Sequence, residues 1–121
     1  MSTKKTLVLG ASENPQRYSN IAMQRLQAHH HPVVAIGKKP GKAHGITISD
    51  KKENIKDIDT VTLYLNPTHQ EEYYQYILSL HPKRIIFNPG TENDQLVTLA
   101  KANGIKTQEA CTLVLLSTGQ Y

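Results

Sequence analysis

The residues best suited to chemistry lie between Gly10 and Asn20, where a short apolar run gives way to a polar loop and a helix. A loop that leads into a helix presents backbone N–H groups with partial positive charge, which suit a phosphate or a pyrophosphate. Ser12 and Ser19 add hydroxyl donors, and Arg17 can make a bidentate contact to phosphate. The segment has one glycine and lacks the GxGxxG pattern of dinucleotide turns, so a simple strand-ending turn is the alternative.

A second group of charged residues follows the apolar run Val33–Ile36. A NAD site would place an acid there to hold the ribose 2′-hydroxyl, whereas this chain has Lys38 and Lys39. Lysines favour a ribose that carries an additional phosphate, as in NADP or in coenzyme A with its 3′-phosphate. A solvated basic loop is the other interpretation that charge alone allows.

Groups that could catalyse a reaction are sparse. Cys111 is the only cysteine and lies in an apolar stretch, which favours a buried thiol over a nucleophile and excludes an internal disulfide. The tract His29–His31 resembles a metal tract, but adjacent helical residues point in different directions, so we expect no metal site. His44, His69 and His81 are isolated, as polar surface residues are. The sequence therefore favours binding over catalysis.

Charge is distributed unevenly along the 121 residues. Residues 1–56 hold ten Lys and Arg against three Asp and Glu, whereas residues 57–121 hold four against seven. We therefore expect an anionic small molecule on the first half. We expect no nucleic-acid partner, because the chain has no run of five basic residues and no RNP-like motif. No apolar run reaches the roughly 20 residues of a membrane helix, and the start does not resemble a signal peptide, so we predict a cytoplasmic protein without a membrane partner.

The elements that must position these residues alternate between short apolar runs and amphipathic segments. The predicted strands are 6–9, 33–36, 60–65, 84–87 and 105–107, with a minor strand at 46–48. Helices are predicted from Ser19, from Thr68 with a capping box to Glu71, and from Thr91, and an apolar tail follows at 110–121. This order predicts one α/β domain over residues 1–121, a doubly wound five-stranded and mainly parallel sheet in the order 3-2-1-4-5, with helices on both faces.

A ligand of such a sheet binds beyond the carboxyl ends of the strands, where the strand order reverses. The first four predicted strands end near Gly10, Gly37, Asn66 and Asn88. These four positions therefore mark the expected rim of a binding crevice.

The rim residues, read together, resemble the opening motif of the small, stand-alone CoA-binding domain family. The matching residues are Gly10, Ala11, Ser12, Pro15, Arg17, Ser19 and Asn20, then Pro40-Gly41, Gly45, Asp59-Thr60-Val61, Asn66-Pro67 and Cys111. Members of this family are Rossmann-like and similar to the CoA-binding domain of the succinyl-CoA synthetase alpha subunit. The resemblance runs from about Lys5 to Tyr121.

The resemblance implies that the ligand is coenzyme A or an acyl-CoA. The implied contacts are Gly10, Ala11, Ser12, Pro15, Arg17, Ser19 and Asn20 at the diphosphate, Lys38 and Lys39 at the 3′-phosphate, Asn66 and Pro67 at the adenosine, and Asn88, Pro89 and Gly90 where the pantetheine leaves. The synthetases use a phosphohistidine in a second domain, so we do not expect their activity here.

The leading hypothesis is a non-catalytic module that binds CoA or acyl-CoA, as a sensor or as an accessory to a larger enzyme. One alternative is an enzyme that uses NADP or a CoA thioester, with its chemistry near Asn88–Gly90 or Cys111. Another is a scaffold without ligand, in which residues 110–116 and the tyrosines of segment 68–80 form a dimer face. A homodimer and a larger enzyme both stay open as partners.

Overall fold

The computed structural model describes residues 3–121 and places their strands in one seven-stranded sheet. The strands are β1 (Thr6–Leu9), β2 (Val33–Ile36), β3 (Gly41–Ala43), β4 (Ile46–Ser49), β5 (Thr60–Leu63), β6 (Arg84–Phe87) and β7 (Lys106–Glu109). Their order is β3-β4-β2-β1-β5-β6-β7. All neighbouring strands are parallel except β3 and β4, which form an antiparallel hairpin at one edge.

The helices cover both faces of this sheet. They are α1 (Tyr18–Ala28), α2 (Pro67–Gln70), α3 (Tyr74–Ser79), α4 (Asp94–Ala102) and α5 (Thr112–Ser117), and a 3-10 turn (Glu71–Tyr73) joins α2 to α3. Successive side chains of β1 alternate between two buried clusters, as a strand requires. Leu7 and Leu9 belong to the cluster with α3 and α4, whereas Val8 belongs to the cluster with α1 and α5. None of the helices among residues 3–121 is long and apolar enough to cross a bilayer.

The predicted α/β class and the helices on both faces are confirmed, but the predicted five strands and the order 3-2-1-4-5 are wrong. The predicted third strand, 60–65, is β5 and pairs with β1 rather than with β2. All four residues of β5 are buried, which is the environment of a central strand between β1 and β6. The place beside β2 belongs to the minor strand, now β4, through the pairing of Ala35 with Ile48.

Several helix boundaries differ from their predicted positions because asparagines provide the N-caps. The Asn66 side chain accepts the N–H of His69, so α2 begins before Thr68. The Asn93 side chain accepts the N–H groups of Gln95 and Leu96 and is the N-cap of α4, two residues after the predicted cap Thr91. The predicted tail 110–121 contains a further helix, α5.

Tyr121 closes the amino edge of the sheet, where the parallel strands begin. The Arg84 guanidinium lies 4.5 Å from the centre of the Tyr121 ring, and the Lys4 ammonium donates to the Tyr121 carbonyl at 2.5 Å. The His31 ring packs 4.8 Å from the Tyr121 ring, and its Nδ1 accepts the N–H of Lys4 at 2.9 Å. Together with the hydroxyl of Thr6, which is hydrogen-bonded to the Tyr121 phenol, these contacts hold residue 121 against the first strand.

Candidate functional site

A cleft of about 500 Å³ opens at the carboxyl edge of the sheet. The chain runs from β1 outward to β2 and β4, then returns to place β5 on the other side of β1, so the strand order reverses between β1 and β5. The cleft lies at this reversal, which is where open α/β sheets bind ligands. Its walls come from four strand ends: Gly10, Ala11, Ser12, Glu13, Asn14, Arg17, Tyr18 and Ser19 after β1, Lys38 and Lys39 after β2, Tyr64 after β5, and Pro89 and Thr91 after β6.

Gly10 directs the loop after β1 into the floor of the cleft. Its φ of +100° belongs to the region that favours glycine, and a Cβ there would lie 2.9 Å from the carbonyl carbon of Tyr64. The N–H groups of Gly10 and Ala11 both donate to the carbonyl of Ile36, at 2.8 and 2.9 Å. The turn is therefore held against the ends of both neighbouring strands.

The rest of the loop is held by its own polar side chains. The Ser12 hydroxyl accepts the N–H of Asn14 at 3.0 Å, and the Asn14 side chain accepts the N–H of Gln16 at 3.0 Å. Buried Asn20 donates its Nδ2 to the carbonyl of Ser12 at 2.9 Å, while its Oδ1 pairs with Nε2 of His44 at 2.7 Å. Asn20 thus holds the loop after β1 in place through its hydrogen bond to Ser12 and does not line the cleft.

The N-terminus of α1 faces the cleft. Arg17 is its N-cap in an extended conformation, no side chain caps the helix by a hydrogen bond, and no acidic residue occupies the first turn. An uncapped first turn offers N–H donors and the positive end of the helix dipole. Because Arg17, Tyr18 and Ser19 all line the cleft, this end of α1 is suited to an anion.

Three cationic side chains line the same cleft as this helix end. Arg17, Lys38 and Lys39 are exposed and line the cleft together. Glu13 is the carboxylate in the same wall, and its Oε2 accepts the N–H of Lys42 at 3.0 Å. Burial raises the pKa of Tyr64 to about 12, so this phenol is neutral at pH 7 and does not repel an anion. The electrostatic balance of the cleft is therefore positive.

Asn88 is buried, lies outside the cleft wall and holds three elements together. Its Nδ2 donates to Oγ1 of Thr62 at 2.7 Å and to the carbonyl of Leu63 at 2.8 Å. Its Oδ1 accepts the N–H of Thr112 at 2.9 Å, and the hydroxyls of Thr62 and Thr112 are 2.8 Å apart. Asn88 therefore joins β5, β6 and the start of α5, and its polar atoms are occupied within the protein.

The structure divides the predicted site residues into two groups. Those that line the cleft are Gly10, Ala11, Ser12, Arg17, Ser19, Lys38, Lys39 and Pro89, and those that do not are Pro15, Asn20, Asn66, Pro67, Asn88 and Gly90. Asn66 caps α2, Pro67 is the first residue of that helix, and Gly90 donates its N–H to the Glu92 carboxylate at 2.9 Å. The second group shapes the surroundings of the cleft.

Sequence reasoning missed five residues of the cleft wall: Glu13, Asn14, Tyr18, Tyr64 and Thr91. Tyr18 gave a usable signal, because it stands between the two predicted phosphate contacts Arg17 and Ser19 at the start of a helix. Tyr64 directly follows a strand, and its position at the rim depends on the placement of β5 beside β1.

A second cavity of about 510 Å³ lies at the amino edge of the sheet. Its wall mixes cations with carboxylates, namely Lys5 and Lys83 with Asp57 and Asp59. Within residues 3–121 no three His, Cys, Asp or Glu side chains come together in a metal-binding arrangement. The cleft at the carboxyl edge, whose charged side chains are mainly cationic, is thus the cavity that favours one class of ligand, namely anions.

Comparison with known proteins decides which family these features belong to. The family profile described as a CoA binding domain matches residues 4–117. The chain belongs to this CoA-binding domain family. A comparison with curated proteins gave no match.

Solved structures repeat the fold of this CoA-binding domain. A crystal structure of an uncharacterized protein superposes with a TM-score of 0.97 at 48% identity, covering 100% of both chains. A hypothetical protein from Pyrococcus horikoshii OT3 gives a TM-score of 0.87 at 25% identity, over 96% of this chain and 83% of that one. The dinucleotide-forming acetyl-coenzyme A synthetase 1 of Ca. Korarchaeum cryptofilum, solved with phosphate and ADP, shares the fold at 14% identity and a TM-score of 0.73, over 89% of this chain and 26% of the enzyme.

Proposed function

We propose that the cleft binds coenzyme A or an acyl-CoA, with the diphosphate over the loop after β1 and the N-terminus of α1. The observation that carries this proposal is that the uncapped first turn of α1 and the side chains of Arg17, Lys38 and Lys39 face one cleft, in a chain that matches the CoA-binding domain over residues 4–117. A diphosphate and a separate ribose phosphate need cations at two places, and the two loops supply them.

The contacts divide between the two loops. Arg17, together with the N–H groups and hydroxyls of Ser12 and Ser19, receives the diphosphate, because these groups line the cleft at the N-terminus of α1 or in the loop that leads to it. Lys38 and Lys39 receive the 3′-phosphate from the loop after β2. Pro89 and Thr91 line the far wall, where the pantetheine arm leaves.

The proposed role is binding without catalysis, in a sensor or in an accessory to a larger enzyme, with residues 1–121 acting as one CoA-binding domain. This role is supported by the chemistry of the cleft wall in the described part of the chain, which contains no His and no Cys. The carboxylate of that wall, Glu13, accepts a backbone N–H from Lys42. A cleft of this kind is equipped to hold charged groups, and its wall lacks the imidazole that most often acts as a general base and the thiol that is the most nucleophilic side chain near pH 7.

Isothermal titration calorimetry with CoA, dephospho-CoA, NADP and NAD tests the proposal. We expect CoA to bind, dephospho-CoA to bind more weakly, and NAD to bind most weakly. Arg17→Ala and the Lys38→Ala/Lys39→Ala double variant should each reduce the free energy of CoA binding by about 1.5–3 kcal/mol for every phosphate contact that is removed. Only the lysine variant should lose the discrimination between CoA and dephospho-CoA.

Arg25→Ala is the matched control, because Arg25 is an exposed arginine in the last turn of the same helix, away from the cleft wall. Its affinity for CoA should equal that of the unmodified protein. Binding of NADP in preference to CoA would replace the proposal with an NADP site. Binding of none of the four compounds would overturn it.

A further inference from the structure

Tyr18 has an unusual environment for an aromatic residue. It is the first residue of α1, its side chain is 71% exposed, and it lines the cleft between Arg17 and Ser19. In the described part of the chain, Val114 is the other large hydrophobic side chain with high exposure, at 55%, and it is not part of the cleft wall. An aromatic ring held open beside a cleft leaves apolar surface that a ligand can cover.

The remaining tyrosines near the sheet have their rings engaged elsewhere. Tyr64, the other tyrosine of the cleft wall, is partly buried, and burial raises the pKa of its phenol to about 12. Tyr73 and Tyr76 pack against each other with ring centres 6.5 Å apart, outside the cleft. Tyr18 is therefore the accessible aromatic face that the described cleft offers.

The neighbours of Tyr18 indicate which part of a ligand reaches it. Arg17 and Ser19, on either side, are the residues proposed to hold the diphosphate. In CoA the adenine is separated from the diphosphate by a single ribose, whereas the flexible pantetheine arm extends from the other phosphate. A planar purine next to the phosphate site can stack on an aromatic ring, which is a favourable contact for any base.

We propose that Tyr18 stacks on the adenine of bound CoA and thereby distinguishes ligands that carry a base from ligands that lack one. The proposal rests on the proposed function, because it requires a nucleotide diphosphate in the cleft. It adds a contact to the base, which the phosphate-binding residues cannot recognise.

The first test compares CoA with 4′-phosphopantetheine, which lacks adenosine, in calorimetry on three variants. Tyr18→Ala should weaken CoA binding at least about fivefold, in line with base–aromatic stacking. Tyr18→Phe should keep the affinity within about twofold, because the ring remains. Val114→Ala removes the other exposed hydrophobic side chain and should leave CoA binding unchanged. None of the three should alter the binding of 4′-phosphopantetheine.

The second test uses fluorescence. The chain has no tryptophan, so a Tyr18→Trp variant carries one indole at the site of interest. CoA and ADP should quench its emission by stacking, whereas 4′-phosphopantetheine should leave it unchanged. This readout does not depend on a loss of affinity.

The outcomes separate this inference from the proposed function. If the unmodified protein binds neither CoA nor ADP, the proposed function fails and the stacking contact fails with it. If CoA binds but Tyr18→Ala retains full affinity, the stacking contact alone is overturned. If 4′-phosphopantetheine quenches the indole and loses affinity in Tyr18→Ala, the ring contacts the pantetheine arm, and the assignment to adenine is wrong.

Discussion

Gly37 lies directly against the carbonyl of Ala11: a Cβ at position 37 would stand 2.2 Å from that oxygen. The N–H of Gly37 donates to the carbonyl of Ser49 at 2.9 Å, which joins the same residue to the end of β4. The loop after β2 thus packs backbone to backbone on the loop after β1. Because these two loops carry the proposed 3′-phosphate and diphosphate contacts, their separation is set at Gly37.

The substitution Gly37→Ala should therefore disturb both stability and binding. The new methyl group meets backbone, which cannot rotate away, so we expect a loss of about 1–3 kcal/mol in the free energy of unfolding. CoA affinity should fall as well, because Ala11 must move. Chemical denaturation and calorimetry measure the two effects.

Gly41→Ala is the matched control for this change. A Cβ at Gly41 would meet the Glu13 side chain at 2.3 Å, and this exposed side chain can turn aside with the loss of one exposed hydrogen bond, to the N–H of Lys42. The loss of stability should then stay below about 1 kcal/mol, the usual range for contacts between exposed groups. Equal effects of the two substitutions would contradict the rigid contact at Gly37.

Asn20→Ala should destabilise the loop after β1 by removing the hydrogen bond to Ser12, without removing a residue of the cleft wall. The buried amide bonds the Ser12 carbonyl at 2.9 Å and His44 at 2.7 Å, so its loss should cost about 1–3 kcal/mol of stability. We expect CoA binding to weaken several-fold, since Ser12 lies in the proposed diphosphate site. His44→Ala removes the exposed partner alone and should have a smaller effect on both quantities, measured by thermal unfolding and calorimetry.

Asn88→Ala tests whether Asn88 is a structural residue or a ligand contact. The change leaves the Thr112 N–H and the Leu63 carbonyl without their buried partner, so stability should fall by at least about 2 kcal/mol. The folded protein should keep its CoA affinity within a few-fold, because Asn88 does not line the cleft. A large loss of CoA affinity with an unchanged free energy of unfolding would show that Asn88 contacts the ligand.

His31 should make the protein less stable in mild acid. Burial lowers the pKa of His31 below its ordinary 6.5, and the nearby charges of His29, Lys4 and Arg84 lower it further. The unfolded chain therefore binds the proton more readily than the folded one. The free energy of unfolding should be at its full value above pH 6.5 and should fall as the pH drops through the lower pKa of the folded state.

Urea denaturation at several pH values between 7.5 and 5 measures this effect. Protonation also removes the acceptor that Nδ1 presents to the N–H of Lys4. In His31→Gln the change in stability over the same pH interval should be smaller than in the unmodified protein. An identical slope in the two proteins would show that another group controls the acid sensitivity.

The α/β class was predictable because runs such as Thr6–Leu9 and Arg84–Phe87 are too short for helices and too apolar for exposed strands. The order of the strands was not predictable, because β4 carries only two isoleucines and takes its place beside β2 as one strand of the hairpin with β3. A short strand with a weak local pattern acquires its place from its neighbours.

The candidate site was predictable where a residue's position follows from chain direction alone. Ser12, Arg17 and Lys39 follow strand ends and line the cleft as expected. Asn66 and Asn88 follow strand ends too, yet Asn66 caps a helix and Asn88 is buried and accepts the N–H of Thr112. The sequence alone does not show whether an asparagine after a strand caps a helix, joins buried elements or contacts a ligand. These roles are distinguished by partners that are distant along the chain.

The contacts of Tyr121 with Lys4 and Arg84 bring positions 4 and 121 side by side at the amino edge, away from the cleft. Because positions 4 and 121 are in contact, a short linker could join them. We expect the order of the strands in the sheet to stay the same if the joined chain is opened at another loop. A circularly permuted chain, joined by a short linker between these positions and opened at the exposed turn Asn103-Gly104, should fold to the same sheet. Its new ends would lie between α4 and β7 and would leave each wall of the cleft continuous.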